Sequence, residues 1–393
     1  MNVFVASDNI ISPLGFTSSE NFEQLKKMHT GVKRIENSDL SDEAVCAAII
    51  DTQKLNDEFQ KQDLTSKGLE KEYTRLEKMA ILSIKDCLKQ NPKINISGKR
   101  TLLVLSSTKG NIDLLDASMS SKFDRKRVYL WETANIISRY FQNPNQPIVV
   151  SNACISGVLA IIIGKRLLED NTYDTVIVSG VDIMTHFVVS GFQSFKAISN
   201  EVAKPYDSKR DGISLGEGCG TIVLTNDPGL TLNNEQQIIV KGGSSSNDAN
   251  HISGPSRTGD GLFLAIEKTL KEANVKAEEV NYISGHGTAT LYNDDMESIA
   301  ISDAQLAAVP MNSLKSYFGH TLGAAGLIES IVGLHSMREN TLIGTYNFNE
   351  LGVAKPINII KNTTAAVVNN CLKTAAGFGG CNAAVFFQKV QKN

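Results

Sequence analysis

A chain of 393 residues is longer than one ordinary compact domain, so two domains or one large duplicated unit is expected. Its 41% hydrophobic and 21% charged residues lie near globular averages, which excludes a disordered chain. A formal net charge of −3 with scattered Lys and Arg excludes an overall field for nucleic acid and leaves open only a local basic patch.

The N-terminus, Met1-Asn2-Val3-Phe4-Val5, has no cationic segment before an apolar stretch, so it reads as a first strand and not as a signal peptide. A helical pattern follows from Arg75 to Leu88. Runs rich in β-branched residues recur at Leu102 to Leu105, Ile148 to Val150, Val176 to Val178 and Ile222 to Leu224. Strands alternating with helices predict parallel pairs joined by crossovers, an α/β pattern. The longest apolar stretch, Val158 to Ile163, ends at Gly164-Lys165-Arg166. That is far short of the roughly 20 residues a membrane span needs, so no span is expected.

Between Asn226 and Gln237 the periodicity lapses into Asn, Pro, Gly and Gln, which places a boundary between halves 1–232 and 233–393. The pattern then restarts with a strand at Ile238 to Val240, a helix near Leu262 to Ala273, a strand at Tyr282-Ile283 and a last strand at Val385 to Phe387. The halves echo each other where a glycine-bearing turn opens an apolar helix. Cys154-Ile155-Ser156-Gly157 leads to Asp170-Asn171, and His320 with Gly323 and Gly326 leads to Glu339-Asn340. Helices apolar on nearly every face are buried between layers, so two sheets enclosing central helices are expected.

Six cysteines, at 46, 87, 154, 219, 371 and 381, form no CxxC pair and no metal spacing, which suits a reducing, cytoplasmic setting. Five read as small buried apolar residues. Cys154 differs because it follows the strand Ile148 to Val150 at what should be the first turn of a buried helix. There the backbone N–H groups and the positive helix end would lower the thiol pKa and make a usable nucleophile.

Three further segments carry chemistry, and a fourth supports them. In Gly285-His286-Gly287-Thr288-Ala289-Thr290 a histidine sits between glycines that permit close approach to the backbone. Lys315-Ser316-Tyr317-Phe318-Gly319-His320 offers a second histidine at a turn into a helix. Gly377-Phe378-Gly379-Gly380, ahead of Asn382, exposes N–H groups that could stabilise an oxyanion. Taken singly, each of these is more often structural. Pro205-Tyr206-Asp207 through Arg210-Asp211-Gly212 to Gly216-Glu217-Gly218 reads as structural support, with Asp and Arg pairing with each other or capping turns.

Together and in this order the five segments resemble the signature of the β-ketoacyl-acyl carrier protein synthases, and Ser12-Pro13-Leu14-Gly15 resembles that family's first turn. The resemblance implies an α/β thiolase fold of two similar halves in a five-layer αβαβα arrangement. It also implies an acyltransferase that condenses malonyl-carrier with an acyl chain by decarboxylative Claisen chemistry. Cys154 would be the acylated nucleophile, and its N–H with that of Phe378 the oxyanion hole. His286 and His320 would assist decarboxylation, and Lys315 would balance charge. Glu329 and Asp294 would support the site, Phe378 would gate it, Thr288 and Thr290 would contact the phosphopantetheine arm, and Phe192 would line the acyl pocket. No metal or free cofactor is implied, because the substrates ride on an acyl carrier protein. A homodimer is implied, and a heterodimer with a related subunit would keep the same residues. The carrier is acidic in this family, so Arg75, Lys122, Arg125, Lys126, Arg127 and Lys196 are docking candidates.

Four positions depart from the family's commonest pattern: Ser106 to Asn111, Ala375-Ala376, Leu291 and Cys381. They leave the nucleophile and both histidines in place and point to an unusual acyl chain, of polyene or polyketide type, with ordinary fatty-acid elongation as the alternative. A non-catalytic chain-length-factor-like subunit would lack Cys154. A degradative thiolase would pair its nucleophile with one histidine and a second cysteine ahead of the glycine run, whereas Cys371 and Cys381 do not match that pattern.

Overall fold

The computed structural model describes residues 1–36, 39–62, 72–116, 122–232, 236–248 and 254–391. The boundary expected at 232/233 abuts residues 233–235, which lie outside the described residues.

Ten strands form one sheet in the order Met311–Asn312, Tyr282–Ser284, Asn370–Gly377, Cys381–Gln391, Gln236–Asn247, Phe4–Ile11, Gly218–Thr225, Thr175–Asp182, Thr101–Ser106 and Ile148–Val150. Five strands from the later part of the chain meet five from the earlier part at a single register pair, Phe4 with Ile239. Outward from that junction both sets pair antiparallel, antiparallel, parallel and parallel. The duplication suggested by the sequence echo is thus a duplication of topology.

The strand period of two, with both faces apolar, sets the layers. Leu102, Val104, Val176, Val178, Ile222 and Leu224 enter a central core with the helices Ser156–Glu169 and Ala325–Glu339. Their neighbours Leu103, Leu105, Ile177 and Val223 face the other way, onto the helix Arg75–Gln90. In the second set Ala383, Val385 and Phe387 join the central core, while Ala384 and Phe386 pack with the helices Asp260–Ala273 and Leu291–Asp303. Helix, first strand set, paired central helices, second strand set and helix make five layers, with the two sets joined edge to edge into one sheet where two separate sheets were expected.

Local chemistry fixes the ends of these elements. The Arg75–Gln90 helix starts with a capping box, in which the Thr74 side chain accepts from Glu77 N–H and the Glu77 carboxylate accepts from Thr74 N–H. The helices Thr52–Gln62, Leu130–Tyr140 and His186–Ser194 were not anticipated from the periodicity. The two central helices cross where each has a glycine. A Cβ on Gly157 would stand 2.7 Å from Leu327 N, and one on Gly326 would stand 2.7 Å from Val158 N. This close crossing brings the segments just before the two helices, those of Cys154 and His320, to one point.

Candidate active site

After the strand Ile148–Val150 the chain turns sharply, with Ala153 in the left-handed region at φ 44°. Ser156 Oγ holds the turn, accepting from Asn152 N–H at 2.8 Å and donating to Ala153 O at 2.6 Å. Cys154 therefore stands just before the helix that begins at Ser156, not within its first turn. Its Sγ lies 3.0 Å from His320 Nε2. Burial, reinforced by nearby Cys381 and opposed by Lys315 and Lys109, pushes the thiol up to about 12. The low pKa expected from the helix end is corrected: desolvation of the anion outweighs the nearby positive charges, and the resting group is a thiol.

His286 meets His320 edge to face, with ring centroids 5.4 Å apart and planes at 83°. Burial pulls both imidazoles well below their ordinary range, and Lys315 and Lys373 pull the same way, so both rings are neutral. Among the described residues neither Nδ1 has a hydrogen-bond partner. The His286 loop is held from behind by two acids on one face of the helix Leu291–Asp303. Glu297 accepts from His286 N–H at 2.7 Å, Gly287 N–H at 2.8 Å, Tyr206 OH at 2.9 Å and Thr374 Oγ1 at 2.8 Å. Asp294 accepts from Thr288 N–H at 2.9 Å, Ala289 N–H at 3.1 Å and Tyr206 N–H at 2.8 Å. Burial pushes the Asp294 carboxyl up to about 7, opposed by the Tyr206 N–H and aided by Glu297. Glu297 was missed, although its spacing of three residues from Asp294 puts both on one helix face.

Behind the histidines lies a buried charge cluster. Lys315 Nζ pairs with Glu329 Oε1, and Lys373 Nζ lies 2.7 Å from Glu329 Oε2. Lys373 was also missed, and its signal is a lone charge in the otherwise uncharged run Cys371-Leu372-Lys373-Thr374-Ala375-Ala376. On the opposite side Asp182 accepts from Ser107 Oγ at 2.7 Å, Thr108 N–H at 3.0 Å and Gly323 N–H at 2.7 Å. It ties the departing segment Ser106 to Asn111 to the turn that follows His320.

A cavity of about 420 Å³ opens onto this centre. Cys154, His286, His320, Thr288, Thr290, Phe192 and Phe378 line it, whereas Asp294, Lys315 and Glu329 stand behind the lining. The Thr288 and Thr290 hydroxyls are 2.8 Å apart. Phe378 is 39% exposed at the mouth, its ring 5.7 Å from that of Phe192 and 5.5 Å from that of Phe195. A Cβ on Gly377 would lie 3.0 Å from Cys154 N and 2.8 Å from Cys381 Sγ, so the Gly377-Phe378 backbone abuts that of the thiol residue. Of the four departures, Leu291 and Ala376 line the cavity.

Some expectations need correction. Arg75 forms an ion pair with buried Glu217 and donates to Ile50 O, and Arg127 pairs with buried Glu77 at 2.9 Å. Both arginines hold internal acids and so are poor docking groups. Lys122, Arg125, Lys126 and Lys196 are exposed. Of the two expected alternatives, pairing is corrected and turn capping is seen: Asp207 and Arg210 do not pair side chain to side chain, and Asp207 accepts from Lys209 N–H at 2.8 Å. Asp207 also accepts from Asn349 and Glu350 N–H, while Arg210 pairs with Asp295 at 2.7 Å. Among the described residues no His, Cys, Asp and Glu cluster could hold a metal, and no helix is long and apolar enough to cross a membrane.

Residues 2–228 match the family model described as Beta-ketoacyl synthase, N-terminal domain, and residues 238–349 match Beta-ketoacyl synthase, C-terminal domain. The fold and site thus define a condensing acyltransferase: the chain belongs to the β-ketoacyl synthase family. Among individual proteins it is similar to 3-oxoacyl-[acyl-carrier-protein] synthase 2 of Vibrio harveyi, 26% identical over 414 residues covering 99% of this chain and 98% of that one. The protein of the same name from Rhizobium meliloti (strain 1021) is 31% identical over 266 residues, 64% of this chain and 62% of that one. In fold it resembles a chain of the solved complex of the ketosynthase ApeO with its chain length factor ApeC from Xenorhabdus doucetiae. That match has a TM-score of 0.87 at 23% identity and covers 99% of this chain and 98% of that one. The ishigamide ketosynthase/chain length factor also matches with a TM-score of 0.87 at 23% identity, covering 98% of each chain.

Proposed function

We propose that this chain is a 3-oxoacyl-[acyl-carrier-protein] synthase that holds an acyl chain on Cys154 and extends it with malonyl-carrier. The observation that carries this reading is the Sγ of Cys154 at 3.0 Å from His320, with neutral His286 edge-on beside it in one cavity. In acylation the thiol adds to the carrier thioester as His320 Nε2 takes its proton. The carrier thiolate leaves and receives that proton, so the thiol ester is exchanged at little net cost. Because no described residue bonds Nδ1 of either ring, nothing among them locks a tautomer, and Nε2 can accept in this step and donate in the next.

In the second step the malonyl carboxylate leaves as carbon dioxide, and its bonding pair passes into the thioester as an enolate. N–H groups from the two imidazoles receive the enolate oxygen. The carbanion attacks the acyl carbonyl on Cys154, the N–H groups of Cys154 and Phe378 hold the oxyanion, and the thiolate departs and takes a proton from solvent to restore the thiol. The product is a β-ketoacyl chain two carbons longer on the carrier. Thr288 and Thr290 would hold the phosphopantetheine arm, Phe192 would line the acyl pocket, and Phe378 would gate it. Lys315, Glu329 and Asp294 would support the catalytic groups.

The acyl chain is proposed to be an unusual one, of polyene or polyketide type. Small Ala376 and apolar Leu291 in the cavity support this, as does the likeness in fold to chains of ketosynthase/chain length factor complexes. Two halves, 1–232 and 233–393, a carrier partner docking at Lys122, Arg125, Lys126 or Lys196, and a homodimer or a heterodimer with a related subunit belong to the same proposal. Turnover of polyene and saturated acyl-carriers with malonyl-carrier tests it. Preference for polyene chains is expected, and clear preference for plain saturated chains would make fatty-acid elongation the better reading.

A further inference from the structure

Along the strand Asn370–Gly377 side chains alternate between faces, and Cys371 and Ala375 enter the central core. Lys373 has the same parity and is fully buried. An ammonium in such a place is costly unless oxygens surround it. Three do: Glu329 Oε2 at 2.7 Å, Gly285 O at 3.0 Å and Ser284 O at 3.2 Å, the latter two accepting hydrogen bonds.

Those two carbonyls belong to the residues immediately before His286, while the N–H groups of His286 and Gly287 go to Glu297. The histidine loop is thus gripped through carbonyls on one side and N–H groups on the other. Glu329 alone also serves Lys315, so one carboxylate faces two lysines. The charged and titratable groups facing Lys373 are Glu329 of the helix Ala325–Glu339, Lys315 of the helix Lys315–Phe318, Glu297 of the helix Leu291–Asp303, and Cys371 on its own strand. His286 and His320 feel it in turn.

We propose that Lys373 is a positioning residue for decarboxylation, holding the His286 loop in place and supplying the second positive charge behind the imidazole pair. This rests on the condensing reading above. Lys373 does not line the cavity, so it acts through His286 and through its field. That field opposes imidazole protonation and favours the negative charge that grows on the thioester oxygen as carbon dioxide leaves.

The test uses Lys373→Met and Lys373→Gln in the full chain, with two readouts: Cys154 acylation by intact mass, and malonyl-carrier decarboxylation as a function of pH. Acylation should stay within about threefold of wild type while decarboxylation falls about tenfold or more. The acid limb of decarboxylation should move to higher pH, because the imidazoles lose a charge that holds them neutral. Gln, which keeps amide donors for the two carbonyls, should recover part of the rate and none of the shift in the limb. An unchanged limb with an unchanged ratio of the two half-reactions would overturn the inference, as would failure of both variants to fold, which would make Lys373 a scaffold group. A wild-type chain that neither acylates nor decarboxylates would overturn the condensing reading and this inference with it.

Discussion

Cys154 rests as a thiol because burial outweighs the nearby lysines, so its reactivity depends on the base 3.0 Å away. Substituting His320→Ala should therefore slow acylation as well as condensation. His286→Ala should spare acylation and lower decarboxylation by about 10²–10³, the usual cost of one lost oxyanion donor. Single-turnover acylation and carbon dioxide release separate the two, and equal losses in both variants would contradict the assignment. Both imidazoles are held well below the ordinary value of about 6.5. The neutral form is needed, and it is lost only as pH falls through the depressed folded pKa. Wild-type decarboxylation should thus persist with little loss as pH falls through the ordinary imidazole value, and a half-maximum near 6.5 would contradict it. The two histidines and Cys154 were legible in the sequence because glycines flank each in a fixed order. The raised thiol pKa was not, because helix ends are local and visible in sequence whereas desolvation comes from residues distant in the chain.

At the scale of elements, the crossing of the central helices positions the site, and its glycines can be tested against a control. Gly157→Ala puts a Cβ 2.7 Å from a backbone nitrogen and should cost about 1–3 kcal/mol by overpacking. Gly191→Ala, in the helix His186–Ser194 with nothing within 4 Å, should be neutral or stabilising by about 0.5–1 kcal/mol. Urea midpoints compare the two, and equal effects would contradict the close crossing. Strands and helices apolar on most faces were readable from periodicity. The helix Thr52–Gln62, short and largely polar, gave no such signal, and Lys373 showed only as a lone charge in an apolar strand. Arg75 looked free because its partner Glu217 is 142 residues away in sequence.

For the molecule as a whole, the two strand sets meet at one backbone pair, so side chains must also join them. Asp8, on the strand Phe4–Ile11, pairs with Arg338 and, at 3.0 Å, with His335 on the helix Ala325–Glu339. Burial disfavours the Asp8 carboxylate, yet Arg338 and His335 together hold its pKa well below the usual range. A depressed folded pKa adds stability above the unfolded value of about 3.9, lost as pH falls through the folded one. Arg338→Met should cost about 1–2 kcal/mol at pH 7, discounted because Arg338 is partly exposed, and the loss should shrink only as pH falls below the unfolded value of about 3.9 toward the depressed folded one. A pH-independent loss in urea titrations would contradict this linkage. The duplication was legible as two glycine-led helices, but the Asp8 pairing between the two sets depends on three-dimensional closure and left no local pattern.

The most direct test of the central claim is the intact mass of the protein after incubation with a panel of acyl-carrier thioesters, comparing wild type with Cys154→Ala. The account predicts a mass increase equal to the acyl group in wild type, absent from the variant. No increase in wild type from any donor would contradict it and favour a non-catalytic partner subunit. An increase retained in Cys154→Ala would place the nucleophile elsewhere.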